Sequence, residues 1–298
     1  MQFRLMFNGS IVALVTPFTD ADEIDFAAVD RLVDFHCRNG SDGLIIAGTT
    51  GESATLQREE FLDLLTRVIE TAAGRIPVLA GTGSASTAVA IEHTVAACER
   101  GADGALVVTP YYNKPTQRGL EAHFSAIADA ADLDLLLYNV PSRTAVDLLP
   151  ATVERLAAHR RIVGIKEAVP DAARIEELCA RCGPEFAILS GDDRSCLDAM
   201  RQGASGVVSV AANVIPGHMH GLCMAAAQQD WNEAEALNSA LTAIFEVLMI
   251  ETNPIPVKWA LFEMGLVGPG IRLPLTRLSQ EYRESLRLSL ADLHLVQD

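Results

Sequence analysis

Short apolar runs recur eight times along the chain: Ile11–Val15, Gly43–Ala47, Ile76–Ala80, Gly104–Val108, Leu133–Tyr138, Ile162–Ile165, Phe186–Leu189 and Gly206–Val210. Each is rich in Val, Ile or Leu and too short for a helix. Most lack polar alternation, the pattern of strands buried on both faces. Between them, apolar residues step by three or four. Phe26, Val29, Leu32, Val33 and Phe35 form one such set, and Phe61, Leu64, Leu65 and Val68 a second. Ala88, Ile91, Val95 and Cys98 form a third. This spacing predicts amphipathic helices, with Asp25 and Ser86 as N-caps.

Eight strand–helix units without a linker predict an α/β fold closed as a (β/α)8 TIM barrel, with an open doubly wound sheet as the rival. From about Gly217 the pattern turns all-helical, and Trp231–Met249 is a long apolar-striped segment. This stretch is too long for an eighth barrel helix alone. The expected division is a catalytic barrel over residues 1–229 and a C-terminal helical bundle over 230–298, packed on the barrel or on a neighbour.

Composition narrows the function. Apolar residues make up 49% of 298, enough for a large core, which excludes disorder as the main state. Asp and Glu number 39 against 23 Lys and Arg, a net charge of −16. A chain this acidic, with no compensating basic patch, repels phosphate backbones, so no nucleic-acid partner is expected. Six scattered cysteines are too few for a disulfide scaffold and point to a reducing compartment. Cys179 and Cys182 form a C-x-x-C without two further ligands at zinc spacing and read as helix residues. His218 and His220 lack a carboxylate partner nearby in the sequence and read as structural. Met1 to Val15 is interrupted by Asn8-Gly9-Ser10 and shows no small-residue cleavage site, so no signal peptide is expected. No apolar run reaches bilayer length, and a cytoplasmic protein without a membrane partner is the expectation.

A TIM barrel places its chemistry at the C-terminal ends of its strands. Those ends carry Thr16-Pro17, Gly48–Ser53, Gly81-Thr82-Gly83, Thr109–Asn113, Tyr138–Arg143, Lys166-Glu167, Ser190–Asp193 and Val208-Ser209. The chain has only three lysines, Lys114, Lys166 and Lys258. Lys166 directly follows Val163-Gly164-Ile165, so its stem is expected to start inside the barrel. Burial disfavours the ammonium form, and a desolvated amine is a nucleophile suited to a ketone or aldehyde carbonyl. The bland reading of Lys166 is a buried cation paired with Glu167. Lys114, in a Pro-rich loop, and Lys258, in the tail, read as solvated or structural.

Tyr138 sits one strand from Lys166 and is placed to carry protons, with Thr49 as a relay; its bland reading is an aromatic core residue. Arg143 offers five donors, a good carboxylate clamp, although surface salt bridges are the commoner fate of arginine. Gly48–Ser53 and Gly81–Ser86 lack the full dinucleotide and P-loop patterns, and read as turns that expose backbone N–H groups to a small carboxylate. Asp192-Asp193 is joined by no histidine, and no metal site is expected.

Several long segments, taken in order, resemble the dihydrodipicolinate synthase family of the pyruvate-dependent class I aldolase and lyase superfamily. They are Gly48–Ser53, Thr109–Asn113, Tyr138–Thr144, Gly164–Ala168, Ser190–Asp193 and Asn253–Lys258. The resemblance covers nearly the whole chain. It implies condensation of pyruvate with L-aspartate 4-semialdehyde, a small aldehyde, to give 4-hydroxy-tetrahydrodipicolinate on the diaminopimelate route to lysine. It implies that Lys166 forms the Schiff base and that Thr49 and Thr50 hold the pyruvate carboxylate. Thr49 would link Tyr138 to Tyr112, and Arg143 would bind the semialdehyde carboxylate. Gly191 and Val208 would offer backbone contacts. The tyrosine matching Tyr112 comes from the neighbouring subunit in the family, which is usually a homotetramer of tight dimers. No metal or organic cofactor is implied. The alternative is a sister aldolase of the N-acetylneuraminate lyase, 2-keto-3-deoxy sugar-acid or hydroxy-oxoglutarate type; a paralogue that only binds is the other reading.

The sequence departs from the family in two places. Lysine-inhibited members carry polar or charged residues where this chain has Arg58, Ala85 and Val89, although Ser53, Ala54 and Tyr111 match. Weak or absent feedback by lysine is the expectation. After Lys166, Glu167-Ala168-Val169-Pro170 replaces the more usual Thr-Gly.

Overall fold

The computed structural model describes residues 7–296. Six of the residues on which the signal-peptide reading rests, 1–6, lie outside them, as do the first and last residues of the two expected parts. Eight strands run β1 (Gly9–Ala13), β2 (Gly43–Ile46), β3 (Val78–Gly81), β4 (Gly104–Val108), β5 (Leu135–Asn139), β6 (Ile162–Glu167), β7 (Ala187–Ser190) and β8 (Gly206–Ser209). Every neighbouring pair is parallel, and β8 closes on β1, with Gly9 opposite Gly206. The barrel rather than the open sheet is the fold. Predicted runs and strands coincide within a few residues. Two differences bear on the site: β1 begins at Gly9, because that residue pairs with β8, and β6 runs on through Lys166 to Glu167.

Helices α1 (Phe26–Arg38), α2 (Arg58–Ala72), α3 (Thr87–Glu99) and α4 (Gln117–Ala130) follow β1 to β4. After β5 come the one-turn α5 (Pro141–Thr144) and then α6 (Pro150–Leu156). α7 (Ala172–Cys182), α8 (Cys196–Arg201) and α9 (Pro216–Ala227) complete the ring. Asp25 caps α1 by accepting from the Ala28 amide (3.0 Å), and Ser86 caps α3 through the Val89 amide (3.5 Å), as the sequence predicts. Cys179 and Cys182 lie on α7. His220 does have a carboxylate partner: its Nδ1 stands 3.0 Å from Asp42 Oδ2, contributed by a position far away in the chain. The last helices are α10 (Trp231–Val247), α11 (Ile255–Glu263) and α12 (Gln280–Asp292). No helix among the described residues is long and apolar enough to cross a membrane.

Two apolar layers follow from strand alternation. Val12, Leu44, Leu135, Leu137 and Ile165 face the helices. Ile11, Ile45, Leu79, Leu136, Leu189 and Val208 fill the barrel interior. Strand β6 breaks this period. Leu135 pairs with Ile162 but Leu136 with Gly164, so β6 carries one extra residue. Val163 packs into the interior, and beyond the shift Ile165 faces outward. An extra residue re-aims every side chain after it. Its effect here is to bring Lys166 opposite Tyr138, toward the interior. Gly164 makes the shift possible, because a Cβ there would sit 2.5 Å from the Ala187 carbonyl oxygen.

Candidate active site

Lys166 is 5% exposed, near the C-terminal end of β6. Its Nζ lies 4.4 Å from the centre of the Tyr138 ring on β5. The pairing with Glu167 is not formed. Glu167 points to the other face, where Arg174 Nε donates to it at 2.8 Å and Asn139 Nδ2 at 3.0 Å. Arg174 also grips Asp147 at 2.7 and 3.0 Å. Burial pushes the Glu167 carboxyl up, against the opposing pull of the Arg174 guanidinium. This buried cluster ties the ends of β5 and β6 together from behind. No ion pair among the described residues uses Lys166.

Above Lys166 opens a cavity of about 130 Å³. Thr49, Thr50, Tyr138, Arg143, Lys166 and Gly191 all line it, so the barrel gathers six of the eight candidate positions. Thr50 is buried and accepts at Oγ1 from Asn253 Nδ2 (3.0 Å). Arg143 sits on the exposed turn α5, where Pro141 at the first helical position fixes its entry. Its guanidinium donates to the Asn253 carbonyl oxygen (3.2 Å) rather than to a surface carboxylate. Gly191 leaves room for the lysine stem, since a Cβ there would come within 3.0 Å of Lys166 Cε and 2.8 Å of Ala168 Cβ.

Two candidate positions fall elsewhere. Val208 is buried in the barrel interior, two residues deeper than Val210, which does line the cavity. Tyr112 is 93% exposed, outside the cavity, with a left-handed backbone (φ +73°) that a residue with a bulky side chain rarely holds without a reason. Conversely, sequence reasoning assigned no role to Asn253 or Asp192, both lining residues. Asn253 lies far along the chain from the threonine and arginine it joins, so only the fold reveals it. Asp192 accepts from the Ser195 amide (2.9 Å) and hydroxyl (2.7 Å), and Asp193 from the amides of Val210 (3.0 Å) and Ala211 (2.8 Å). Those contacts fix the β7 and β8 loops. Among the described residues no three His, Cys, Asp or Glu cluster in a way that could hold a metal.

The glycine runs are spent mainly on packing. A Cβ at Gly81 would lie 2.2 Å from the Ala47 carbonyl oxygen, so β2 and β3 approach too closely for any other residue. Lys258 is not solvated but buried in the tail helix α11, and Lys114 is exposed.

The profile of the Dihydrodipicolinate synthetase family matches residues 6–293. The 4-hydroxy-tetrahydrodipicolinate synthase of Halorhodospira halophila is 50% identical over 296 residues, covering 98% of this chain and 99% of that relative. The crystal structure of dihydrodipicolinate synthase from Aquifex aeolicus superposes with a TM-score of 0.96 at 46% identity, covering 98% of this chain and 100% of that one. The chloride-inhibited dihydrodipicolinate synthase from Acinetobacter baumannii, solved with pyruvate, gives a TM-score of 0.96 at 47% identity over 97% of this chain and 100% of that one. Fold and relatives together define a (β/α)8-barrel lyase. The chain belongs to the dihydrodipicolinate synthetase family.

Proposed function

We propose that the protein condenses pyruvate with L-aspartate 4-semialdehyde on Lys166, yielding 4-hydroxy-tetrahydrodipicolinate for lysine biosynthesis. The observation that carries this reading is a buried amine that no ion pair among the described residues uses, in a cavity lined also by Thr49, Thr50, Tyr138 and Arg143. The names of the relatives favour this reaction over the sister aldolases.

The steps follow from the chemistry of the amine. The Lys166 amine attacks C2 of pyruvate; the keto oxygen takes one proton from the nitrogen and a second from the Tyr138 relay and leaves as water, giving an iminium. The iminium draws electrons from the adjacent methyl group, which loses a proton to become an enamine. The enamine carbon bonds to the aldehyde carbon, and the aldehyde oxygen gains a proton. The substrate's own amino group then adds to the iminium carbon, closing the ring and expelling the Lys166 amine. Tyr138 is the nearest phenol to the nitrogen and serves as proton carrier. Thr50 and Thr49 hold the keto-acid carboxylate, and Arg143 receives the carboxylate of the second substrate. Gly191 and the β8 end supply backbone contacts.

Tyr112 fits the same scheme as a residue donated to the neighbouring copy's site. Tyr112 is exposed, lies outside its own cavity and holds a costly left-handed backbone, as a residue presented to a neighbour would. A homotetramer built from tight dimers, working in the cytoplasm, is the corresponding assembly.

Borohydride reduction in the presence of pyruvate should leave a lactyl-sized adduct on the peptide holding Lys166. Turnover with aspartate semialdehyde should exceed that with sialic acid or keto-deoxy sugar acids. Absence of the adduct, or turnover confined to the sugar acids, contradicts the reading.

A further inference from the structure

We infer that Lys258, acting with Glu52, is a positioning residue for the keto-acid subsite: it fixes the Thr49–Thr50 loop from a helix of the C-terminal extension. This rests on the reading that the loop receives the pyruvate carboxylate.

The loop leaves β2 and turns sharply. The Glu52 amide donates to the Thr49 carbonyl (3.1 Å), and Glu52 itself adopts left-handed φ +55°. Non-glycine residues hold that conformation only where their surroundings over-determine it. Here the surroundings are plain. One Glu52 carboxylate oxygen accepts from Lys258 Nζ, and the other from the Arg272 amide (3.0 Å). Lys258 Nζ also donates to the Thr16 carbonyl (2.9 Å), while the Thr16 hydroxyl donates to the Gly51 carbonyl (2.7 Å). One ammonium therefore holds Glu52 directly and Gly51 through Thr16, the two residues that follow Thr50.

Both members of the pair are almost fully buried. Lys258 Nζ and the Arg272 guanidinium stand 4.4 and 4.2 Å from the centre of the Phe18 ring. Desolvating two charges is costly, and apolar groups of similar shape would fill the space as well. An ion pair with fixed hydrogen bonds supplies direction instead. Lys258 does not line the reaction cavity, so its effect reaches substrate only through the loop. Asn253, five residues before it, makes the companion contact by donating to Thr50 Oγ1. The extension thus grips the carboxylate loop directly at Thr50 and Glu52 and at Gly51 through Thr16, and Thr49 lines the cavity.

The test compares the parent with Lys258→Met, Lys258→Arg and the double variant Glu52→Gln/Lys258→Met. The last removes both charges at nearly constant volume and keeps the test open should the single variant fail to fold. Borohydride trapping of the Lys166 adduct over a range of pyruvate concentrations is read by mass spectrometry, beside steady-state KM values and thermal midpoints. The pyruvate concentration for half-trapping should rise about tenfold or more in both Met variants. Trapping at saturating pyruvate should stay complete, the semialdehyde KM should stay within about threefold, and Lys258→Arg should regain part of the loss. A folded Met variant whose pyruvate half-saturation stays within about twofold of the parent overturns the proposal, as does a drop in thermal midpoint alone. A parent that traps no pyruvate at all refutes the reading of the site itself, a different failure.

Discussion

Tyr138 and Lys166 are register partners across the β5–β6 ladder, and the Lys166 amine stands 4.4 Å from the centre of the Tyr138 ring. The extra residue in β6 creates this relationship. Continuing the register of Leu135 and Ile162 would put Ile165, not Lys166, opposite Tyr138. The amine and the phenol therefore meet because the strand is irregular.

Replacing Tyr138 by Phe keeps the ring against the lysine stem and removes only the hydroxyl. The thermal midpoint should hardly move. Loss of one positioned proton carrier costs about 10² to 10⁴ in rate, so kcat should fall by at least about a hundredfold. Stopped-flow trapping with pyruvate alone, set beside kcat, shows whether the loss lies in proton transfer.

Gly191→Ala puts a methyl group 3.0 Å from Lys166 Cε and 2.8 Å from Ala168 Cβ, with little slack on either side. Overpacking of this kind costs about 1–3 kcal/mol. Denaturant titration should show that loss, and adduct formation should slow more than the stability change accounts for. Unchanged trapping kinetics would mean that the lysine stem has room to spare.

Lysine should inhibit weakly or not at all. A second cavity of about 510 Å³ is lined by Ser53, Ala54, Arg58, Val89, His93 and Tyr111, among others. Glu52 is the one carboxylate among its lining residues, and its two oxygens are engaged by Lys258 and the Arg272 amide. A bound lysine would bring its ammonium among Arg58, His93 and Arg143 without a free acid, a loss of several kcal/mol on the order of an unpaired buried charge. Micromolar inhibition in a coupled assay would contradict this.

Acid should destabilise the fold from well above the carboxylate range. Burial pushes His36 down to about 3 and His123 down to about 4. Each hydrogen-bonds through Nδ1, to Ser41 (3.0 Å) and Thr87 (2.9 Å), and keeps a buried Nε2 without a partner. Unfolded histidine takes up its proton near pH 6.5 while the folded form stays neutral, so the unfolded state binds more protons below that point. Stability should therefore fall as pH drops from about 6.5, with a limiting slope of about 1.4 kcal/mol per pH unit for each histidine. The decline should level off for His123 near 4 and for His36 near 3. Urea midpoints from pH 7 to 5 check this, and a His36→Gln variant should show a shallower decline.

The sequence made the barrel legible because each strand is a short apolar run and each helix steps by three or four, signals that do not depend on neighbours. Lys166 stood out by scarcity, and Arg143 and the threonines by position at strand ends. What could not be read was pairing across distance. Arg174 takes Glu167 away from Lys166, Asp42 finds His220, and Asn253 bridges Thr50 and Arg143. The inward aim of Lys166 was expected from its place after an apolar run, yet it depends on a one-residue shift beside Gly164 that periodicity alone does not show. Lys258 reads from the sequence as solvated or structural; it is structural, and only the fold shows that its partner is Glu52, in a loop far away in the chain.

The most direct measurement is the condensation rate of Lys166→Ala against the parent at saturating pyruvate and semialdehyde. Removing the amine that carries every covalent step should lower kcat by about three orders of magnitude or more, with the fold intact by circular dichroism. A variant that turns over at the parent's speed would contradict the account.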